Sequence, residues 1–340
     1  MKKRKLDILV PHYKEDFEVI KPLLDSINIQ QNVDLANDVG VIIVNDGDEK
    51  LLDTELFKQY TFPIEYYVEE HRGVSATRNA CLDHSTADYI MWCDADDMFC
   101  SVCALWIIFR EINNGGFDSL TSVFMEESVN PQTKEHFYIN RGDINMGGID
   151  STFVHGKVHN RQFLLNHKIR FNPALTIHED SPINILIQKI ARPDRMKYCP
   201  VPFYLWKWRD ESVCRHDPKY ILKTYVNMLD GNTYLVKELL ERGHRQDACF
   251  FATSMIYDAY YTFNCKQWLD TNNAEYREKT EKRFAQYYKD FKSLYESVEE
   301  PLKIQINAGM RNRFFQEGLM FEEVTFSSWI KHIESLLEEI

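Results

Sequence analysis

Residues 39–44 read VGVIIV, an unbroken apolar run with no polar alternation. A strand with one wet face alternates; a continuous β-branched run fits a strand covered on both faces, as in parallel sheets flanked by helices. The run stops at Asn45-Asp46-Gly47-Asp48, a turn signal. Other segments repeat the form. LDILV (residues 6–10) runs into Pro11, His12, Tyr13, Lys14 and Glu15, and FPIEYYVEE (62–70) reads as a further strand. DYIMWC (88–93) breaks into Asp94, Asp96 and Asp97. Helical segments at about 17–29 and 73–84 separate these runs. Strand and helix in alternation imply right-handed crossovers and a mostly parallel sheet, whose ligands sit at the carboxyl ends of the strands. Three polar clusters are therefore expected on one edge of one sheet.

Beyond residue 117 the pattern is mixed. SLTSVFMEES, EHFYINR and MKYCPV read as strands, RQFLLNHK and DSPINILIQKIA as helices, and residues 142–150 as a loop. From Pro218 helical spacing dominates. The expected organisation is an α/β catalytic domain over residues 1–217 and an all-α domain of four to six helices over 218–340, serving acceptor binding or oligomerisation. A length of 340 residues fits two domains, and 44% apolar residues suffice for packed cores. A net charge of -12 argues against a general nucleic-acid binder. No stretch approaches the ~20 apolar residues of a membrane span, so the expectation is a cytoplasmic protein, at most peripheral to a membrane. The eight cysteines are read as thiols, with Cys100 and Cys103 on a helix and no second pair to complete a zinc site.

Asp94-Ala95-Asp96 at a strand end has two readings. One is turn and cap chemistry, with Asp97 capping a helix near Cys100. The other is a site for a hard divalent cation, held by one or two carboxylates and completed by phosphates.

Taken together, LDILVPHYKED, VIIVNDGD, HRGVSATRNACL, ADYIMWCDADD and VHGKVHNRQFLLNHKIRFNPALTIHEDSPINILI resemble the family 2 glycosyltransferases, inverting enzymes of the GT-A fold that use nucleotide sugars. The resemblance spans about residues 6–216 and leaves the helical remainder uncovered. It implies a Rossmann-like sheet and transfer of a hexose from a UDP-sugar to an acceptor hydroxyl. It implies Asp180 as the general base, Asp96 as ligand of Mn2+ or Mg2+, and His216 as a second ligand. Pro11, Tyr13, Glu15, Asp46, Arg72, Gly73, Arg78, Asp94, Ala95, Gly156, Arg209 and Ser212 would bind the nucleotide sugar. His178, Glu179 and Trp208 would face the acceptor. Asp46 is expected on the nucleobase, Arg209 and Ser212 on the diphosphate, and Gly156 where the backbone nears the sugar. Arg78 has a rival reading as a simple ion-pair partner of Asp94. Asp180 is expected to stay ionised because a helix N-terminus lowers a carboxyl pKa. The acceptor is a glycan, a polyol phosphate or another hydroxyl, and a homo-oligomer through the helical domain is a further expectation.

Three other readings fit the sequence less well. A sugar-1-phosphate nucleotidyltransferase needs an early Gly-rich loop, and VPHYKED has no glycine. A non-catalytic nucleotide-sugar or glycan-binding module would have lost Asp96 or Asp180. A dinucleotide oxidoreductase needs GxGxxG after a strand.

Overall fold

A computed structural model describes residues 3–141, 152–210, 217, 219–314, 318 and 320–337. The chain divides into two compact units, Met1–Ser212 and Val213–Ile340.

In the first unit the apolar runs become β1 (Leu6–His12), β2 (Val39–Asp46), β3 (Ile64–Glu69) and β4 (Tyr89–Trp92). Between them lie α1 (Phe17–Asn28), the short α2 (Leu35–Asp38) and α3 (Val74–His84). Then follow β5 (Met98–Phe99), α4 (Ala104–Asn113), β6 (Ser119–Val129), β7 (His136–Arg141) and β8 (Lys157–Asn160). The unit ends with α5 (Arg161–Asn166), α6 (Asp180–Ile190) and β9 (Met196–Trp206). The sheet order is β3-β2-β1-β4-β8-β6-β9-β5, with β7 paired to β6. Its first four strands are parallel. The remainder is mixed: β8 runs antiparallel to β4 and β6, while β9 runs parallel to β6.

Alternate residues of the central strands divide between two cores. Leu6, Ile8, Val10, Val39, Val41 and Ile43 pack in a cluster with α1. Leu9, Ile42, Val44, Ile90 and Trp92 pack in another with residues of α3 and α6. Burial on both faces is why VGVIIV carries no polar residue. All four parallel strands deliver their carboxyl ends to one edge.

Two short strands, β5 and β8, carried too few residues to show a period. The helix expected near Cys100 begins at Ala104. Cys100 and Cys103 therefore precede it rather than ride on it. Asp97 does not cap it. That residue is buried, accepts from the Tyr204 hydroxyl, and takes the Lys207 N–H at 2.9 Å.

The second unit is helical among its described residues: α7 (Tyr220–Glu241), α8 (Arg245–Asn264), α9 (Lys266–Leu269), α10 (Ala274–Glu296), α11 (Glu300–Arg313) and α12 (Glu323–Leu336). Helix α8 is central, buried without a break from Ala252 to Phe263. Its aromatic surplus is core: Phe263, Phe284 and Trp329 pack ring to ring. Buried Asp258 is balanced by the Tyr225 hydroxyl at 2.8 Å and by Arg313. No helix among the described residues is long and apolar enough to cross a membrane.

Candidate active site

The strand ends open on a cleft of about 450 Å³. Pro11, Tyr13 and Glu15 line it from the end of β1, Asp46 from β2, Asp94, Ala95 and Asp96 from the end of β4, and Arg209 from beyond β9. Gly73 and Arg78 enter from α3, and His12, His71, Val74, Thr77 and Thr176 complete the wall.

Asp46 organises one end of the cleft. It is buried, and its Oδ1 accepts the Arg72 N–H at 2.8 Å. The Gly73 N–H approaches both of its carboxylate oxygens, Oδ2 at 2.9 Å. His71 Nδ1 lies 3.0 Å from Oδ2. A carboxylate against consecutive backbone N–H groups pins the loop that opens α3. Gly47 makes this approach sterically feasible: its φ is +75°, and a Cβ there would come within 2.5 Å of the His71 backbone nitrogen. Arg72 uses its main chain here, and its side chain does not line the cleft. Gly156, also at positive φ, lies outside the cleft too: a Cβ would strike the Ser122 hydroxyl at 2.5 Å. Its small size serves the packing of β6 against β8.

Helix α3 joins the two ends. Ser75, Arg78 and Asn79 lie three and four residues apart, hence on one face. The Ser75 hydroxyl donates to the Leu175 carbonyl at 2.5 Å. Asn79 exchanges hydrogen bonds with the Phe171 backbone at 2.8 and 3.0 Å. Arg78 reaches Asp94 at 3.0 Å, Glu179 at 2.5 Å and Asp180 at 2.7 Å. One buried guanidinium thus holds three carboxylates, with the Phe171 ring beneath it at 5.3 Å. The expected ion pair with Asp94 is present and extends to Glu179 and Asp180, because the segment 171–180 is folded back onto α3.

Asp180 is the first residue of α6, and its Oδ2 accepts the Val154 N–H at 3.1 Å. The helix start does not keep its pKa low. Burial dominates and pushes it up to about 8, with Glu179 and Asp94 adding and Arg78 opposing. Burial likewise raises Glu15, against the Tyr13 N–H that it accepts at 2.8 Å.

At the opposite wall Arg209 donates to Asp96 at 2.9 Å, with Glu15 at 3.9 Å. The carboxylates of Asp94 and Asp96 are partly exposed. Hard oxygen donors of this kind fit a divalent cation. A geometric trio of Asp94, Asp97 and His155 also brings single ligand atoms within 4.8 Å of one another. Asp97 is a poor ligand, because its two oxygens already accept from Tyr204 and Lys207.

His178, Glu179 and Trp208 do not line the cleft. His178 sits at φ +61° immediately before the Glu179-Asp180 pair. The Trp208 ring N–H donates to Asp210 at 3.0 Å, and its backbone N–H to Glu127 at 2.9 Å. Ser212 and His216 lie outside the described residues. His71, Thr77 and Thr176 were missed. His71 and Thr77 adjoin Arg72 and Arg78 in the sequence, and His71 is marked only in the fold, by its contacts with Asp46 and Tyr13.

The sequence matches "Glycosyl transferase family 2" over residues 7–174. None of the curated proteins matches. Among solved structures, S. aureus TarS 1-349 is similar at 13% identity and a TM-score of 0.61, covering 94% of this chain and 93% of that one. TarS 1-349 in complex with UDP-GlcNAc aligns at 15% identity, a TM-score of 0.59 and the same coverage. The longer S. aureus TarS structure aligns at 14% identity and a TM-score of 0.58, covering 88% of this chain; the chain spans 50% of its length. At these identities the likeness carries the fold.

Proposed function

The chain belongs to the family 2 glycosyl transferases through residues 7–174, and from that premise we propose an inverting transfer of a sugar from a UDP-sugar to an acceptor hydroxyl. The observation that carries this reading is Arg78, whose guanidinium touches Asp94 on the donor side and Asp180 on the acceptor side, at 3.0 and 2.7 Å. A uridine donor is supported by the UDP-GlcNAc complex of the TarS fold neighbour and by the cleft itself. Tyr13 offers an aromatic face, Asp46 a carboxylate, and Arg209 a guanidinium suited to diphosphate.

In this mechanism the acceptor oxygen attacks the anomeric carbon on the face opposite the diphosphate. The bond from that carbon to the phosphate oxygen breaks, and UDP leaves with the electron pair. The hydroxyl proton passes to Asp180. Burial suits this role, since a base poised near neutrality accepts a proton better than a fully solvated carboxylate does. Arg78 opposes the burial and keeps an ionised fraction available. Arg209 meets the charge gathering on the leaving phosphate. Asp96 is the residue we assign to Mn2+ or Mg2+, which when bound supplies Lewis-acid neutralisation of the diphosphate. Ser212 on the diphosphate, His216 as a further ligand, and His178, Glu179 and Trp208 toward the acceptor belong to the same proposal. So does an acceptor-binding or oligomerising role for the helical unit.

Asp180→Asn tests it. Transfer should fall by about 10²–10⁴-fold, the usual worth of a general base, while UDP binding stays near wild type. Normal transfer by the variant removes Asp180 from the chemistry.

A further inference from the structure

The donor end of the cleft holds an arrangement that the mechanism does not use. His71 lies on Tyr13 with ring centroids 4.6 Å apart and planes at 18°. The same imidazole points Nδ1 at Asp46, 3.0 Å from Oδ2 and 3.0 Å from the main-chain oxygen. A carboxylate offers about four acceptor positions. Here Oδ1 faces the Arg72 and Gly73 N–H groups, and Oδ2 faces the Gly73 N–H and His71. Three donors thus surround it, the Arg72 N–H, the Gly73 N–H shared between both oxygens, and the His71 ring nitrogen.

A planar ring that stacks on Tyr13 and presents an N–H to Asp46 makes the two contacts a pyrimidine with a ring N–H would make. The two sets of contacts exclude each other. A third ring between Tyr13 and His71 needs about 7 Å, twice the usual carbon–carbon separation, against the 4.6 Å present. We propose that His71 is an internal surrogate for the nucleobase, and that donor binding requires its imidazole to leave Tyr13 and release Asp46. This rests on the nucleotide reading above and adds a competitor built into the same subsite. The His71 backbone lies close against Gly47, where an added Cβ would come within 2.5 Å of its nitrogen. The side chain is 57% exposed, so it has solvent to rotate into. A site of this design binds its donor more weakly than its contacts allow, in proportion to the fraction of molecules with the imidazole withdrawn.

The test is calorimetric titration of the full chain with UDP and Mn2+, comparing wild type, His71→Ala, His71→Ser and Tyr13→Ala. Removing the imidazole should tighten UDP binding by about three- to tenfold, as expected when the competing state holds most of the population. Tyr13→Ala should weaken binding by about tenfold or more, the scale of one lost base–aromatic stack. His71→Ser gives a second reading if the alanine variant folds poorly. Unchanged or weaker binding in both His71 variants, with Tyr13→Ala also weak, overturns the surrogate and makes His71 a direct contact of the base. If wild type binds UDP no better than Tyr13→Ala, the nucleotide reading of this cleft falls and the surrogate with it.

Discussion

Asp96 and Asp180 each face an arginine, yet the two pairs differ in kind. The Asp96–Arg209 pair is open, with side chains 27% and 35% exposed. The Asp180–Arg78 pair is sealed, with side chains 14% and 4% exposed. Solvent screens the first, so its partners can exchange for a cation or a phosphate at little cost. The second shares its guanidinium with Asp94 and Glu179, and losing one member strands the others in a low dielectric. An open ion pair can serve as a binding site that trades partners. A closed one is a fixed support that sets the charge state of its carboxylates.

The comparison breaks most readily at the arginines. Arg78→Met should cost about 3–5 kcal/mol of stability, the usual result of leaving buried charges unpaired. Arg209→Met should cost no more than about 1 kcal/mol while sharply weakening UDP binding. Denaturant titration of both variants checks this, and equal losses would erase the distinction. Gly47→Ala tests the Asp46 end of the cleft alone. Forcing a side chain into positive φ against the His71 backbone should cost about 1–3 kcal/mol, with a matching loss of UDP affinity by calorimetry. Chelation should stop turnover and Mn2+ or Mg2+ restore it; turnover indifferent to EDTA would leave the open pair without its proposed exchange.

The sealed pair also predicts two pH effects. Transfer should rise with pH toward about 8 as Asp180 gives up its proton, seen in the rate profile. Stability should move the other way. Folding raises this carboxyl from 3.8 to about 8, so the folded chain holds a proton that the unfolded chain releases across that window. This group's contribution therefore declines as pH rises through it. Thermal melts of wild type against Asp180→Asn should diverge between pH 4 and 8, the variant lacking that part of the decline. Parallel curves would mean that Arg78 holds Asp180 fully ionised.

Much of the lining of the cleft is legible in the sequence. Tyr13, Asp46, Asp94 and Asp96 each follow an apolar run, and a run long enough to be a buried strand announces where its exposed end falls. The Glu179-Asp180 pair was legible only through the motif it ends. Gly156 and Arg72 were expected on the nucleotide sugar, and neither lines the cleft. Their roles lie in a packing contact with Ser122 and in a backbone N–H, which no residue type reveals. Asp97 looked like its neighbours, but burial beside Tyr204 makes it structural.

The sequence by itself determined the four parallel strands and the edge on which their acids gather, because hydrophobic period and turn chemistry act over a few residues. Only the tertiary structure decided which arginine meets which carboxylate, since Arg78 and Asp180 stand 102 positions apart. It also decided that burial outweighs the helix start at Asp180 and that His71 lies on Tyr13. These depend on which groups the finished fold brings together and on how much water it leaves between them.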